Sequence, residues 1–404
     1  MDNYMDYWSK EKNPESGAAF EHFRHYMECT NNGTLDVDAL LTTEYGRKLT
    51  ELLALRFRYE RLDPMSEECL EYYKSIGIRK TMYETEDFFT RWALFTPAEL
   101  EKGKKYPLII WNKGGKEAIE DEEYSMTLIP MAAKEKFMVV MAQNTNWDNL
   151  DHIIETVGNY APVDRERLYM GGFSQGGRVT GSAMMRIPEK ITAALLNGGP
   201  VFDTTDNHNV SYTISEIEHL TTVFVPFMQL QNQCDVSNCS PLNIYRKRKN
   251  TPKVNNNYYI NPSYDFMKDP TYCSDGITRE RINPPEGGDP DVWLMNLLNL
   301  RLGTLGCKFR DPDICRSYAD IPEDELHHAV GFYGDYEKIE EIYGLKHYRV
   351  DIYNRDNIDA FRYIVVANTN HWPPVTLGEL MWDFFRQFRR DSVTGKIVFD
   401  KYIP

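Results

Sequence analysis

Short apolar runs separated by helix-length segments dominate the middle of this 404-residue chain. They are Leu108-Ile109-Ile110-Trp111, Phe137-Met138-Val139-Val140-Met141, Leu168-Tyr169-Met170, Ala193-Ala194-Leu195-Leu196 and Phe227-Met228-Gln229-Leu230. Strands that alternate with helices imply βαβ crossovers, since parallel neighbours need a long connection rather than a tight hairpin. The expected class is therefore α/β, with a mostly parallel central sheet flanked by helices.

The flanks divide the chain further. Residues 1–79 read as an N-terminal helical extension: Leu49, Leu52, Leu53, Phe57 and Tyr59 keep helical spacing until Asp63-Pro64 stops them. The core then spans 80–236, opening with the strand-like Phe88 to Phe95. Residues 237–344 lose the alternation and read as an insertion, rich in Pro, Asn and Tyr, with one helix candidate at Val292 to Leu298. The core resumes over 345–404. Two adjacent strands, His347 to Tyr353 and Phe361 to Val366, precede a closing helix with Leu377, Leu380, Met381, Phe384, Phe385 and Phe388 on one stripe.

Composition excludes several classes. A formal net charge of −15 opposes nonspecific attraction to nucleic acid and to anionic membranes, so neither is an expected partner. The basic run Arg246-Lys247-Arg248-Lys249 reads as a solvated loop. No apolar run is long enough for a transmembrane helix, and no signal peptide is visible, so the chain reads as cytoplasmic as written; an exported chain whose leader had been removed would read the same. The seven cysteines form no C-x-x-C pair, so reduced thiols are expected, with Cys234/Cys239 and Cys307/Cys315 spaced to close small loops if the protein were exported. No metal ligand set is expected; His22 and His25 read as an ordinary helix face.

The chemistry concentrates at Gly172-Phe173-Ser174-Gln175-Gly176. A strand, Leu168 to Met170, precedes this G-x-S-x-G, and Val179, Ala183 and Ile187 give helical spacing after it. A serine on such a turn has strained backbone angles, and neighbours bearing Cβ atoms would collide with strand or helix. The turn presents Ser174 at a helix N-terminus, where the Gln175 amide is free to donate to an oxyanion.

A serine hydroxyl needs a general base, and the base an orienting acid. His371 stands in Thr369-Asn370-His371-Trp372-Pro373-Pro374, between the last strand and the closing helix, and is the expected base. His219, His327, His328 and His347 are the other histidines far enough beyond Ser174; His327-His328 look solvated in an acidic stretch. Asp235, five residues past the strand ending at Leu230, is the expected acid, ahead of Asp265, Asp289 and Asp291 in the insertion. Lys113-Gly114-Gly115, after the early strand, is the candidate for a second oxyanion donor.

The stretch from Val163 to Gly177 is similar to the "D-x-x-R-h-Y-x-x-G-x-S-x-G-G" segment (h apolar) of α/β-hydrolase esterases of the polyhydroxybutyrate-depolymerase and feruloyl-esterase type. Lys105-Tyr106-Pro107, Asn146-Trp147-Asp148 and His371-Trp372-Pro373 extend the resemblance over about 80–236 and 345–390. It implies Ser174 as nucleophile, His371 as base and Asp235 as acid. The chain departs from the family at Lys113-Gly114 and at Gln231-Asn232-Gln233-Cys234, where the family carries His-Gly.

The expected activity is cofactor-free hydrolysis of a small or oligomeric carboxylic ester through an acyl-enzyme on Ser174. Tyr245, Tyr258, Tyr259, Tyr264, Phe266 and Tyr272 of the insertion are placed to line an acyl or aromatic pocket or to pack on the core. A serine peptidase of the same fold, or a catalytically inactive hydrolase-fold binding protein, are the alternatives.

Overall fold

A computed structural model describes Arg24 and residues 35–62, 64–85, 90–115, 118–143, 147–199, 223–235, 305–307, 322–328 and 333–400. The expectations at His22, His25, His219, Arg246 to Lys249, Asp265, Asp289, Asp291, Val292 to Leu298, Cys239, Cys315, Asn146 and the insertion's aromatic residues lie outside them.

Ten strands form one sheet in the order β1-β2-β4-β3-β5-β6-β7-β10-β9-β8. The parallel centre consists of β3 (Tyr106–Asn112), β4 (Met138–Ala142), β5 (Val163–Phe173), β6 (Ala193–Asn197), β7 (Phe227–Asn232) and β10 (Asp359–Val366). Antiparallel strands close both sides: the hairpin of β1 (Ile78–Thr85) and β2 (Thr90–Pro97), and β8 (Tyr336–Ile342) with β9 (Leu345–Tyr353). The fold is the expected α/β class. Two details differ from the sequence reading. The first strand begins at Ile78, and β8 extends the same sheet from within the stretch read as insertion. Residues of β8 are mostly exposed with no apolar run, so the strand carries little hydrophobic signal.

Alternate residues of each central strand enter opposite cores, as the two-residue period of a strand requires. Ile109, Trp111, Val139, Met141, Tyr169, Leu195 and Leu230 face one side, and Leu108, Ile110, Val140, Met170, Leu196 and Phe227 the other. With both faces covered, such strands read as continuous apolar runs.

The N-terminal helices α1 (Val37–Thr42), α2 (Glu44–Leu62) and α3 (Glu67–Ser75) belong to the first core. Leu40, Tyr45, Leu49, Leu53 and Tyr73 pack there with Trp111 and Met381. Tyr45 reaches furthest: its buried hydroxyl accepts the Val375 amide at 3.1 Å, in the loop that follows His371. Burial pushes this phenol well above its usual range, so it stays neutral.

Tyr45→Phe leaves the Val375 amide without its acceptor in the core. The expected cost is about 1–3 kcal/mol, read as a lower urea midpoint with unchanged slope.

Candidate active site

Because β3, β5, β6, β7 and β10 run parallel, the loops at their C-terminal ends gather along one edge, the usual binding edge of open α/β sheets. That edge holds Lys113, Ser174, Gly198, Asp235 and His371.

Ser174 stands at the turn between β5 and the helix Gln175–Arg186, which it caps with φ 51° and ψ −110°. A left-handed φ at a residue with a Cβ costs roughly 1–3 kcal/mol, and the surroundings must hold it. Here the Ser174 amide donates to the Asn197 carbonyl at 2.8 Å. The motif's glycines are sterically required: a Cβ on Gly176 would lie 1.8 Å from the Asn112 carbonyl oxygen, and one on Gly172 2.3 Å from that of Gly176. The first turn of the helix carries no acidic residue, so its positive end is unopposed.

Ser174, His371 and Asp235 form one hydrogen-bonded chain. The Ser174 Oγ and His371 Nε2 are 2.9 Å apart, and His371 Nδ1 is 2.9 Å from Asp235 Oδ2. Asp235 is fully buried and also accepts from Gln231 Nε2 at 3.4 Å. The Phe173 ring packs on the imidazole, with centroids 4.6 Å apart.

Asp235 and His371 reach each other because their loops are cross-bonded. Val366 of β10 registers with Asn232 of β7. Beyond the strands, Gln233 donates its amide to Val366 O, Cys234 to Thr369 O, and Asn368 to Gln233 Oε1, at 2.9, 2.7 and 2.7 Å. Asn232 Nδ2 then donates to Trp372 O at 2.6 Å. The segment Gln231-Asn232-Gln233 thus supplies three side-chain amides that fasten this corner.

The oxyanion loop is more divided. Gln175 stands at the first helical position, where a backbone amide has no acceptor within the helix. Of the three expected loop residues, Gly114 is already engaged: its amide donates to Glu122 Oε1 at 2.5 Å. That corrects its assignment as a donor to substrate and leaves Lys113 and Gly115 as the loop's candidates. Gly115 lies directly against Gln175, since a Cβ there would meet Gln175 Oε1 at 2.8 Å.

Sequence reasoning missed Glu122. It lies in the short helix Ile119–Glu123, is fully buried, and binds Trp111 Nε1 with its other oxygen. Its neighbours anchor elsewhere: Glu120 to Arg91, Asp121 to Arg56 of α2, and Glu123 to Lys80 and Tyr73. A run of acids beside apolar residues reads as a wet face, and no spacing in the sequence announces four separate partners.

Among the described residues, the other candidate histidines beyond Ser174 lie away from it, two of them placed against expectation. His327, read as solvated, is buried, and His328 is nearly so. His347 is fully buried in β9, with Nδ1 2.9 Å from Leu345 O and Nε2 2.9 Å from Thr376 Oγ1.

This strand order, with a serine on a strained strand-to-helix turn and histidine and aspartate on later loops of the same edge, is the α/β-hydrolase arrangement. No family model and no curated protein matches the chain. Among solved structures it is similar to a thermostable esterase, at 18% identity and TM-score 0.31 over 43% of this chain and 52% of that one. Others are the S-formylglutathione hydrolase FrmB of Staphylococcus aureus (10%, TM-score 0.33, 39% and 76%) and a feruloyl esterase module of Clostridium thermocellum (17%, TM-score 0.31, 38% and 66%). The chain spans about half the length of the thermostable esterase.

Burial pushes His347 from 6.5 down to about 4. The unfolded chain therefore binds a proton before the folded one does. The stability held above pH 6.5 is expected to fall by about 3 kcal/mol as pH drops toward 4, and His347→Gln should flatten that part of the profile in urea titrations.

Proposed function

We propose that the chain is a serine hydrolase that cleaves a carboxylic ester through an acyl-enzyme on Ser174. The observation that carries the reading is the chain of 2.9 Å contacts from Ser174 Oγ through His371 to buried Asp235, on a serine held at φ 51°. A bland strand-to-helix turn has no use for that strain, nor for a buried acid aimed at the imidazole.

In the first step Ser174 Oγ bonds to the ester carbonyl carbon and its proton passes to His371 Nε2. The oxygen that gains the negative charge is received by the Gln175 amide at the helix start and by the Lys113–Gly115 loop. As the intermediate collapses, the alcohol leaves with the Nε2 proton. Water then gives a proton to Nε2 while its oxygen bonds to the acyl carbon. The second collapse returns the proton to Ser174 and releases the acid. Asp235 accepts the Nδ1 proton in a hydrogen bond and so holds the imidazolium that forms twice. Every group these steps use is a side chain or amide of this chain. The similarity of the Val163 to Gly177 segment to polyhydroxybutyrate-depolymerase and feruloyl-esterase sequences supports an ester as substrate.

A fluorophosphonate probe is expected to label wild type but not Ser174→Ala. On a panel of short-chain, long-chain and hydroxycinnamoyl esters, Ser174→Ala and His371→Ala should each lose about 10³-fold or more in kcat. Full activity in Ser174→Ala, or turnover of peptides with none of esters, would overturn the assignment. Glu122→Gln tests the loop: kcat should fall about 10- to 100-fold with KM little changed, because the loop bears on the charged intermediate more than on the bound ester.

A further inference from the structure

Away from that edge, two imidazoles and a carboxylate converge where the turn Glu323–His328 meets β8. His327 and His328 are consecutive residues, yet the tight turn brings their rings to 4.0 Å between centroids. Glu337 approaches from the start of β8. Its Oε1 accepts the Gly334 amide at 2.8 Å, which fixes the carboxylate. Its Oε2 lies 3.1 Å from His328 Nε2 and 3.8 Å from His327 Nε2.

These distances suit a shared third atom. Ligands of a tetrahedral zinc ion with bonds of about 2.0–2.1 Å stand roughly 3.4 Å from one another, between the two observed values. One ligand atom from each of the three residues lies within 4.8 Å of the others. His328 Nε2, buried and close to Glu337 Oε2, makes no aligned hydrogen bond among the described residues. Tyr348 stacks on His327 and Tyr333 on His328, at 5.9 and 4.4 Å between centroids, so both ring planes are held. The histidine side chains are 5% and 13% exposed and that of Glu337 34%, which gives a buried floor with one side open to solvent.

We propose that His327, His328 and Glu337 bind a divalent transition metal of the zinc class, with water completing the tetrahedron. Two imidazoles and one carboxylate favour zinc over calcium or magnesium, which take oxygen ligands throughout. The ion ties the 322–328 turn to the outer strand of the sheet, and it shares no residue with the Ser174–His371–Asp235 chain.

The test uses the full chain, stripped with a chelator and titrated with zinc chloride by calorimetry and with cobalt(II) chloride by visible absorption. Wild type is expected to bind one zinc at this site, to show the intense bands of tetrahedral cobalt(II), and to melt at a higher temperature with zinc than without. His328→Ala and Glu337→Gln alter partly exposed side chains and should melt like stripped wild type. Each should bind zinc at least about 100-fold more weakly, beyond the loss from removing an outer partner of a ligand, and lose the cobalt bands. Absence of stoichiometric zinc binding by wild type would overturn the proposal. So would undiminished zinc and cobalt binding in both variants, which would place the metal elsewhere, for example on cysteines. If one variant fails to fold, the other decides.

Discussion

The parallel pairing of β7 with β10 is the constraint on which the candidate site depends. Asp235 and His371 lie 136 residues apart, and they meet because Asn232 registers with Val366 and the two strands end at the same edge. A slip of one residue would turn every side chain of a strand to the opposite core, so two apolar faces specify the register strongly. The cross-bonds from Gln233, Cys234, Asn368 and Asn232 then carry that register beyond the strands to the corner where Asp235 and His371 meet. Buried amide side chains hold the corner where a longer loop would leave Asp235 and His371 free to separate.

The opposite flank of the site is organised by charge rather than register. Residues 120–123 place four carboxylates on one short helix, and each finds a different partner: Arg91, Arg56, the Gly114 amide with Trp111, and Lys80 with Tyr73. A carboxylate buried without a partner is expensive, so the helix can dock only when β1, β2, α2, α3 and the loop after β3 are all in place. The N-terminal helices, which carry no candidate catalytic residue, therefore bear on both arms of the site, through Arg56 on this side and Tyr45 at Val375 on the other.

Much of the framework was legible in the chain because it rests on local signals. The central strands announced themselves as apolar runs, and Ser174 as the centre of a glycine-flanked turn. His371 and Asp235 were legible through chain order and distance past a strand. Elements without such signals were not: β8 is a mostly exposed edge strand, and His327 is buried against Tyr348 of β9 on a turn that reads as acidic and wet. Gly114 looked like a free donor because the residue that engages it, Glu122, follows on a separate helix.

By itself, then, the sequence determined the alternation of strand and helix, the strained position of Ser174 and the residue types needed around it. These follow from hydrophobic period and backbone sterics, which act over a few neighbouring residues. Only the tertiary structure decided that Asp235 faces His371, that Gly114 is held by Glu122, and that His327, His328 and Glu337 converge. Each of those is a contact between segments whose spacing along the chain carries no information about distance, and burial makes the pairing of their polar groups compulsory.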